Sequence, residues 1–429
     1  MFASAAYRRL DMQKVATRYR VAKDSLHTPE SSQSRRGLDW MNFFIADVQT
    51  GFGTFVAFYL AHLGWSQGSV GVVLTVGGLV GVLGQIPGGA LADAVTWKRG
   101  LSALGIIMIG GSALILAASS SFVAVLCAEI LHGATGGIIT TAIGAISLGL
   151  VGRSAMSLRT GRNYRFAAAG HAATAALMGM AGSYFSENAI FITAALLCIP
   201  ALIALSFIRP DEIDYGRARN LASGDQTGKV SRVFDLAKNH KLMLFGAALV
   251  LFQLADASML PLIGENLGTK APSNSSLWMA GLIIVPQIVV AILAPWVGYH
   301  SERKGRRPLL LIGFGLEPVR AALLAFTSGY SFLVVAQLLD GVSSAIIGVL
   351  TVIVITDLTS GTGRFNLARG TVGAMTGIAA SMSTVATGFF FQGFGSASGF
   401  ILIAVIAAAA TVLLWVFLSE TKPTSYSER

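Results

Sequence analysis

The chain has 429 residues, of which 54% are hydrophobic and only 12% charged, with a formal net charge of +10 and a mean hydropathy of +0.67. A soluble domain carries about 25% charged residues, so this composition excludes an ordinary soluble enzyme. It points to a membrane protein, since a helix needs about 20 apolar residues to cross the hydrocarbon. The two cysteines, Cys127 and Cys198, lie inside apolar runs and read as small buried hydrophobes rather than as a disulfide framework or a metal site.

Residues 1–37 are polar and Arg-rich. They lack the roughly 7–15-residue apolar core of a secretory signal and read as a cytoplasmic tail. Apolar segments follow at 38–62, 68–92, 100–119, 121–150, 164–185 and 188–208, and again at 241–268, 277–300, 308–328, 330–357, 367–394 and 396–419. These twelve candidate spans are too long and too continuously apolar for the alternating decamers of a β-barrel. The expected fold is an all-α membrane protein with a six-helix bundle over 38–208, a cytoplasmic loop over 209–240, a second bundle over 241–419 and a cytoplasmic tail over 420–429. Within the loop, Val230, Val233, Phe234 and Ala237 recur at helical spacing beside Arg232 and Lys238. They predict either a helix lying on the membrane surface or an extension of the seventh span.

The cations assign a topology. The N-terminal tail holds eight Lys and Arg, and the breaks after spans 2, 4, 6, 8 and 10 hold two, four, seven, four and two. The C-terminal tail holds two, and only Lys270 and Arg320 fall elsewhere. Lys/Arg excess marks cytoplasmic loops, so both chain ends are expected in the cytoplasm and the number of spans is even. Anionic lipid headgroups account for the net charge, without nucleic acid.

The halves echo each other. "FFIAD" (Phe43–Asp47) in span 1 matches "FQLAD" (Phe252–Asp256) in span 7, with the aspartates 209 positions apart. "GALAD" (Gly89–Asp93) matches "GYHSE" (Gly298–Glu302) at the same offset, and "AEILHG" (Ala128–Gly133) matches "AQLLDG" (Ala336–Gly341) at 208. "TGRNYRFAAAG" (Thr160–Gly170) echoes "TGRFNLARG" (Thr362–Gly370) at about 200. The offset covers six spans, so the repeats are parallel, related by an axis along the membrane normal. Such an arrangement suits alternating access about a midplane site.

On these features the chain resembles the major facilitator superfamily over residues 38–419. The family's loop 2–3 signature runs Gly, three residues, Asp, Arg, one residue, Gly, Arg, then Arg or Lys. Loop 8–9 follows it closely with Gly298, Glu302, Arg303, Gly305, Arg306 and Arg307. Loop 2–3 keeps Gly89 and Asp93 but then has Ala94, Thr96 and Trp97 before Lys98 and Arg99. The resemblance implies that the loop acids hold the cytoplasmic side shut. Asp93 would face the start of span 11 near Arg364 and Arg369, and Glu302, with Arg303 and Arg306 beside it, would face the start of span 5 near Arg162 and Arg165. Helix N-termini attract negative charge, which supports this latch; the alternative is that the charges only set topology.

The resemblance also implies that spans 1, 4, 7 and 10 line a central cavity. Those spans carry Asp47 and Gln49, Glu129 and His132, Gln253 and Asp256, and Gln337 and Asp340. An ionisable group inside the bilayer costs about 2.5–3.5 kcal/mol even on a lenient scale, so these residues are expected to face substrate and to couple protons; a satisfied interhelical hydrogen bond is the plainer alternative. Glu129 and His132 share one helix face and could exchange protons near neutral pH. His171 and Gln287 are further candidates, while His62 and Glu265 lie near the outer face. Glu317 and Arg320, flanking Pro318 on span 9, read as a self-neutralising structural pair, and Asp357 reads as a gate residue. With no cation opposing the cavity acids, cationic or neutral solutes are expected over anions.

The proton-linked drug exporters of the family carry an Arg four residues before the Gly that aligns with Gly133; this chain has Glu129 there. Their Gly-Pro pair in span 5 is absent from "AAAGHAATAALMGMAG" (Ala167–Gly182). Nothing in the sequence forms a nucleotide-binding, zinc or nucleophile-elbow motif, so no cofactor, no metal and no enzymatic activity are expected, and uphill work must draw on an ion gradient. The leading reading is a monomeric secondary transporter of the plasma or bacterial inner membrane, moving a small organic molecule outward in exchange for protons. A proton-linked importer, or a membrane sensor or scaffold that transports nothing, are the alternatives.

Overall fold

The long apolar runs fold as helices, because in hydrocarbon every backbone N–H and C=O must find its partner within the segment. The structure is a computed structural model that describes residues 30–422 apart from 51–55, 57–58, 61–62, 222–235, 237, 264–274 and 327–328. Helices α1 to α6 span Ser32–Thr50, Gln67–Ala94, Lys98–Ala118, Phe122–Val151, Met156–Tyr184 and Glu187–Ser206. Helices α7 to α12 span His240–Asp256, Ser275–Lys304, Arg307–Phe326, Tyr330–Leu358, Phe365–Phe394 and Ser396–Phe417. Nine of these helices are, among the described residues, long and apolar enough to cross a membrane by themselves. Most of the N-terminal tail, the stretch with Val230, Val233, Phe234 and Ala237, the last seven residues, and His62, Glu265 and Lys270 lie outside the described residues.

Local chemistry sets the helix ends. Ser66, Ser121 and Ser186 accept hydrogen bonds from the backbone N–H of Ser69, Ala124 and Ala189, and so cap α2, α4 and α6. Asn239 does the same for α7 through Leu242 N–H. The polar breaks at the cation-rich end are shorter than the sequence suggested. Helix α8 runs on through Lys304, which places Arg303 and Lys304 in its last turn, where cations complement the helix dipole. Helix α5 starts at Met156, so Arg162 and Arg165 stand on a helix, not in a loop. Gly305 adopts φ +91° in the turn between α8 and α9, a conformation that L side chains rarely take.

Each half packs by the same scheme. Helix α2 lies on α4, α3 on α4 and α6, and α1 on α5 and α6; in the second half α8 lies on α10, α9 on α10 and α12, and α7 on α11 and α12. Two main seams join the halves, α2 against α11 and α5 against α8. The interior of the first half centres on Leu38, Met41, Ile106, Val125 and Phe191, and that of the second on Phe245, Phe314, Leu350 and Ile353. Large apolar side chains such as Leu83, Ile107, Ile292 and Trp415 are exposed, as a surface solvated by lipid requires.

The segment joining the halves begins as a strap at the cation-rich end. After a 3-10 turn at Pro210–Glu212 and a one-turn helix at Tyr215–Ala218, Asp214 N–H donates to Gly149 O at 3.1 Å. Asn220, at φ +63°, then donates from its side chain to Thr356 O at 2.7 Å, and its carbonyl accepts from Gly361 N–H at 2.9 Å.

Candidate functional site

Close helix approach builds the seams, and glycine makes it possible. A Cβ on Gly89 would stand 3.0 Å from the carbonyl carbon of Asn366, and one on Gly298 would stand 3.2 Å from that of Ser157. Gly370 faces Gln85 and the Cα of Gly89 at 3.4 Å; Gly161 faces Ala294 and packs on Gly298, whose own Cβ would lie 3.4 Å from it. The equivalent pairs are Gly89 and Gly298, Ser157 and Asn366, Gly161 and Gly370, and Gln85 and Ala294, each 209 positions apart. This corrects the register read from the sequence for α5 and α11: Gly370 is the counterpart of Gly161, not of Gly170, which instead packs on Phe43 of α1.

At the cation-rich end of the first seam, Asp93 reaches across to α11. Its carboxylate accepts from Leu367 N–H at 2.8 Å, Asn366 N–H at 3.4 Å and the Asn366 side-chain amide at 2.8 Å. Arg364, the residue preceding α11, makes no side-chain cap of its own. Asp93 therefore serves the second and third residues of α11 as an N-cap side chain would, but from the other half of the molecule. In the second seam Glu302 accepts from the Ser157 hydroxyl in the first turn of α5 and from Arg306 at 3.1 Å. Both acids thus meet the helix starts expected of them, but through N–H and hydroxyl donors. Arg364 and Arg369 do not pair with Asp93, nor Arg162 and Arg165 with Glu302.

Several of the other arginines have partners of their own. Arg162 and Arg159 both grip Asp39 on α1, Arg162 through Nε at 2.9 Å. Arg165 crosses the seam to Ala291 O at 3.1 Å. Arg303 lies over the Tyr299 ring at 4.7 Å, and Arg306 pairs with Asp357 at 3.2 Å, at the cation-rich end. Glu420 accepts from Arg306 N–H at 2.9 Å and Arg307 N–H at 3.1 Å, so the segment after α12 caps α9. Partial burial pushes the Glu420 carboxyl up, but the N–H groups of Arg306, Lys422, Arg307 and Thr421 outweigh it and hold it below the usual range.

Deeper in the second half, three carboxylates meet one guanidinium. Arg320 Nη1 lies 2.8 Å from Asp256, 2.9 Å from Glu317 and 3.0 Å from Asp340, and the carboxylate oxygens lie within 4.8 Å of one another. Glu317 and Arg320 are buried, whereas Asp256 and Asp340 are 24% and 17% exposed at their side chains, so the cluster faces open space on the α7 and α10 side. This corrects the isolated structural pair: the long arginine side chain carries α9 into the site. It also overturns the expectation that no cation opposes the cavity acids. Fully ionised, the four groups sum to −2, so the cluster can take up protons without leaving a net positive charge.

The other expected cavity residues disperse. Glu129 is buried with its side chain against Gly77 of α2, where a Cβ would stand 2.6 Å from Glu129 Oε2, and Glu129 Oε1 has no hydrogen-bond partner among the described residues. His132 stands half-buried one turn on. Gln337 is buried with both side-chain polar atoms unpartnered, and Gln253 is half-buried on α7. Asp47 and Gln49 fall on α1, and their side chains lie outside the described residues. A cavity of about 170 Å3 opens between the halves, lined by Asn42, Thr160, Asn163, Tyr164, His171 and Arg369 among others. Of the expected residues, His171 and Arg369 meet there. Thr160, Asn163 and Tyr164 were missed, because no local pattern marks a residue whose partners are distant in sequence, as Asn42 is from Asn163.

This architecture has relatives. The family model of the Major Facilitator Superfamily matches residues 38–316 and 257–429. The chain is 34% identical over 389 residues to an uncharacterized MFS-type transporter of Mycobacterium tuberculosis, covering 90% of this chain and 93% of that protein. It is 31% identical over 143 residues to the class B tetracycline resistance protein of Escherichia coli, 33% of this chain and 35% of that one. The crystal structure of the human organic anion transporter MFSD10 (TETRAN) superposes with a TM-score of 0.66 at 14% identity, over 90% of this chain and 100% of the other, which shows a shared fold. With two like-oriented six-helix repeats and glycine seams joined by reciprocal acids, the chain belongs to the Major Facilitator Superfamily and is a membrane transporter.

Proposed function

We propose that this transporter exports a small organic solute in exchange for protons, by alternating access across the plasma membrane. Its two ends and the strap lie in the cytoplasm, the six-helix bundles span 38–208 and 241–419, and the structure is the state closed to the cytoplasm. The charge count of the cluster around Arg320 carries the coupling. Two of its acids, Asp256 and Asp340, are partly exposed, and the third, Glu317, is sealed inside with Arg320, so proton uptake at Asp256 or Asp340 would free Arg320 from one contact and alter the packing of α7, α9 and α10. An intramembrane acid retained at this cost has a role by default. Partial similarity to a tetracycline resistance protein supports the outward direction, and the Lys/Arg distribution supports the orientation.

The test is a proteoliposome assay with an imposed pH gradient and a panel of small organic solutes. The parent should link proton movement to one class of solute, and Asp256→Asn should uncouple the two. Solute movement unaffected by the pH gradient in the parent would refute the coupling.

A further inference from the structure

The cavity between the halves holds a cation with no counter-charge. Arg369, on the second turn of α11, reaches across the interface towards α4, where Gly144 leaves it room: a Cβ at that position would stand 3.2 Å from the guanidinium carbon. Among the described residues Arg369 makes no ion pair and no hydrogen bond, and no acidic side chain lines the cavity it faces. None of the three carboxylates around Arg320 reaches it. Asp39 on α1 already holds both Arg159 and Arg162, and Arg369 is the one Lys or Arg side chain among the residues lining the cavity.

The hydrogen-bonding groups of the lining separate into spent and unspent. Asn163 accepts from Arg159 at 2.7 Å and donates to Ser147 at 2.8 Å, and Asn42 donates to Leu38 O at 2.7 Å. Thr160 differs: its side chain is 2% exposed, and its hydroxyl has no partner among the described residues. Thr160 and Arg369 are 209 positions apart, the offset that relates the two seams. The repeat thus brings equivalent positions of α5 and α11 to one cavity, where one half offers a hydroxyl and the other a guanidinium. A buried polar group is normally satisfied, and two unspent donors on one cavity call for an acceptor with two oxygens. Thr140, Tyr164 and His171 complete the polar lining, and the remaining side chains, Ile45, Ala46, Ile143, Met156, Ala167 and Val352, are apolar.

We propose that this cavity is a binding site for a small organic monocarboxylate, its carboxylate held by Arg369 and Thr160 and its apolar body against α1 and α4. The volume of about 170 Å3 lies below the roughly 300–1,000 Å3 of pockets for drug-sized ligands, so the ligand is small. As an assignment of transported substrate this rests on the transport reading above; as a binding site it does not.

The full chain, purified in nanodiscs, is titrated with acetate, pentanoate and benzoate, against benzamide and benzylammonium as neutral and cationic counterparts, with thermal stabilisation as the readout. At least one carboxylate should stabilise the parent saturably, with neither counterpart doing so. Thr160→Val, which keeps the shape of the side chain, should weaken that binding severalfold, and Arg369→Gln at least tenfold. If Arg369→Gln does not fold, Gly144→Ala, which displaces the guanidinium, takes its place. No carboxylate binding, equal stabilisation by benzamide, or carboxylate binding indifferent to Thr160→Val and to the guanidinium variant would overturn the site. Carboxylate binding without proton-linked flux would sink the transport reading alone; proton-linked flux of benzylammonium without carboxylate binding would sink the site alone.

Discussion

Replacing Asp93 by Asn should open the cation-rich end. The carboxylate takes two bonds at 2.8 Å and one at 3.4 Å from the start of α11, and α11 has no side-chain cap of its own. A hydrogen bond to a charged group contributes about 1.5–3 kcal/mol, and an anion at a partly buried helix start up to about 2 kcal/mol. Asn keeps one acceptor oxygen but loses the charge, so the closed state should lose about 1.5–3 kcal/mol relative to the open one. That shifts their ratio about 10- to 150-fold. Spin labels at Thr96 and Lys304, both exposed at that end and in opposite halves, would report it as a new population of long distances in double electron–electron resonance. A distance distribution unchanged by Asp93→Asn, in a variant that inserts and melts like the parent, would refute the cap as a latch.

Gly89→Ala and Gly370→Ala place a methyl group against backbone of the other half across the seam between α2 and α11; overpacking costs about 1–3 kcal/mol, so both should favour the open state in the same measurement, while Gly78→Ala, which meets nothing within 4 Å, should not. Arg320→Gln leaves three carboxylates without their cation, and breaking a buried pair costs about 3–5 kcal/mol; a melting temperature equal to the parent's would refute the cluster. Glu420 lies below the usual glutamate range when folded, so its contribution is present above the unfolded value of about 4.3 and is lost as pH falls through the lower folded value. Hydrogen exchange at the Arg306 and Arg307 amides should stay slow through the ordinary glutamate range and quicken below it, and Glu420→Gln should quicken it at every pH; protection that disappears at the ordinary value would contradict the cap.

The bilayer made most of the fold readable. Its thickness dictates long apolar runs, and the Lys and Arg residues cluster at one end of the bundle. The repeat was legible where it is carried by distinctive residues, as at Asp93 and Glu302. It misled at α5 and α11, where the shared "TGR" triplets drew the eye but the structural counterparts are Ser157 and Asn366, Gly161 and Gly370, and Thr160 and Arg369. At Gly161 and Gly370 what is shared is the lack of a side chain at the crossing, and a glycine among 49 glycines carries little information. Asp256 and Asp340 were legible as charges in costly places. Their partner was not, because Arg320 sits on span 9, outside the four spans expected to line the cavity, and a flexible arginine stem can carry its head well away from its own backbone. Asp39 went unread beside Arg159 and Arg162 for a related reason: an ion pair between residues 120 positions apart has no local signature.

The strap also bears on how the molecule is assembled. Residues 210–221 leave the ribosome before any helix of the second bundle exists, and Asp214 already has its anchor, Gly149, in the first. The growing chain therefore presents a docking strip in advance, with Asn220 awaiting Thr356 and Gly361, and the Ala218 carbonyl awaiting the Asn366 amide at 3.0 Å. The later bundle would then meet a preformed set of acceptors and donors, and these contacts are where pairing of the two bundles is expected to start.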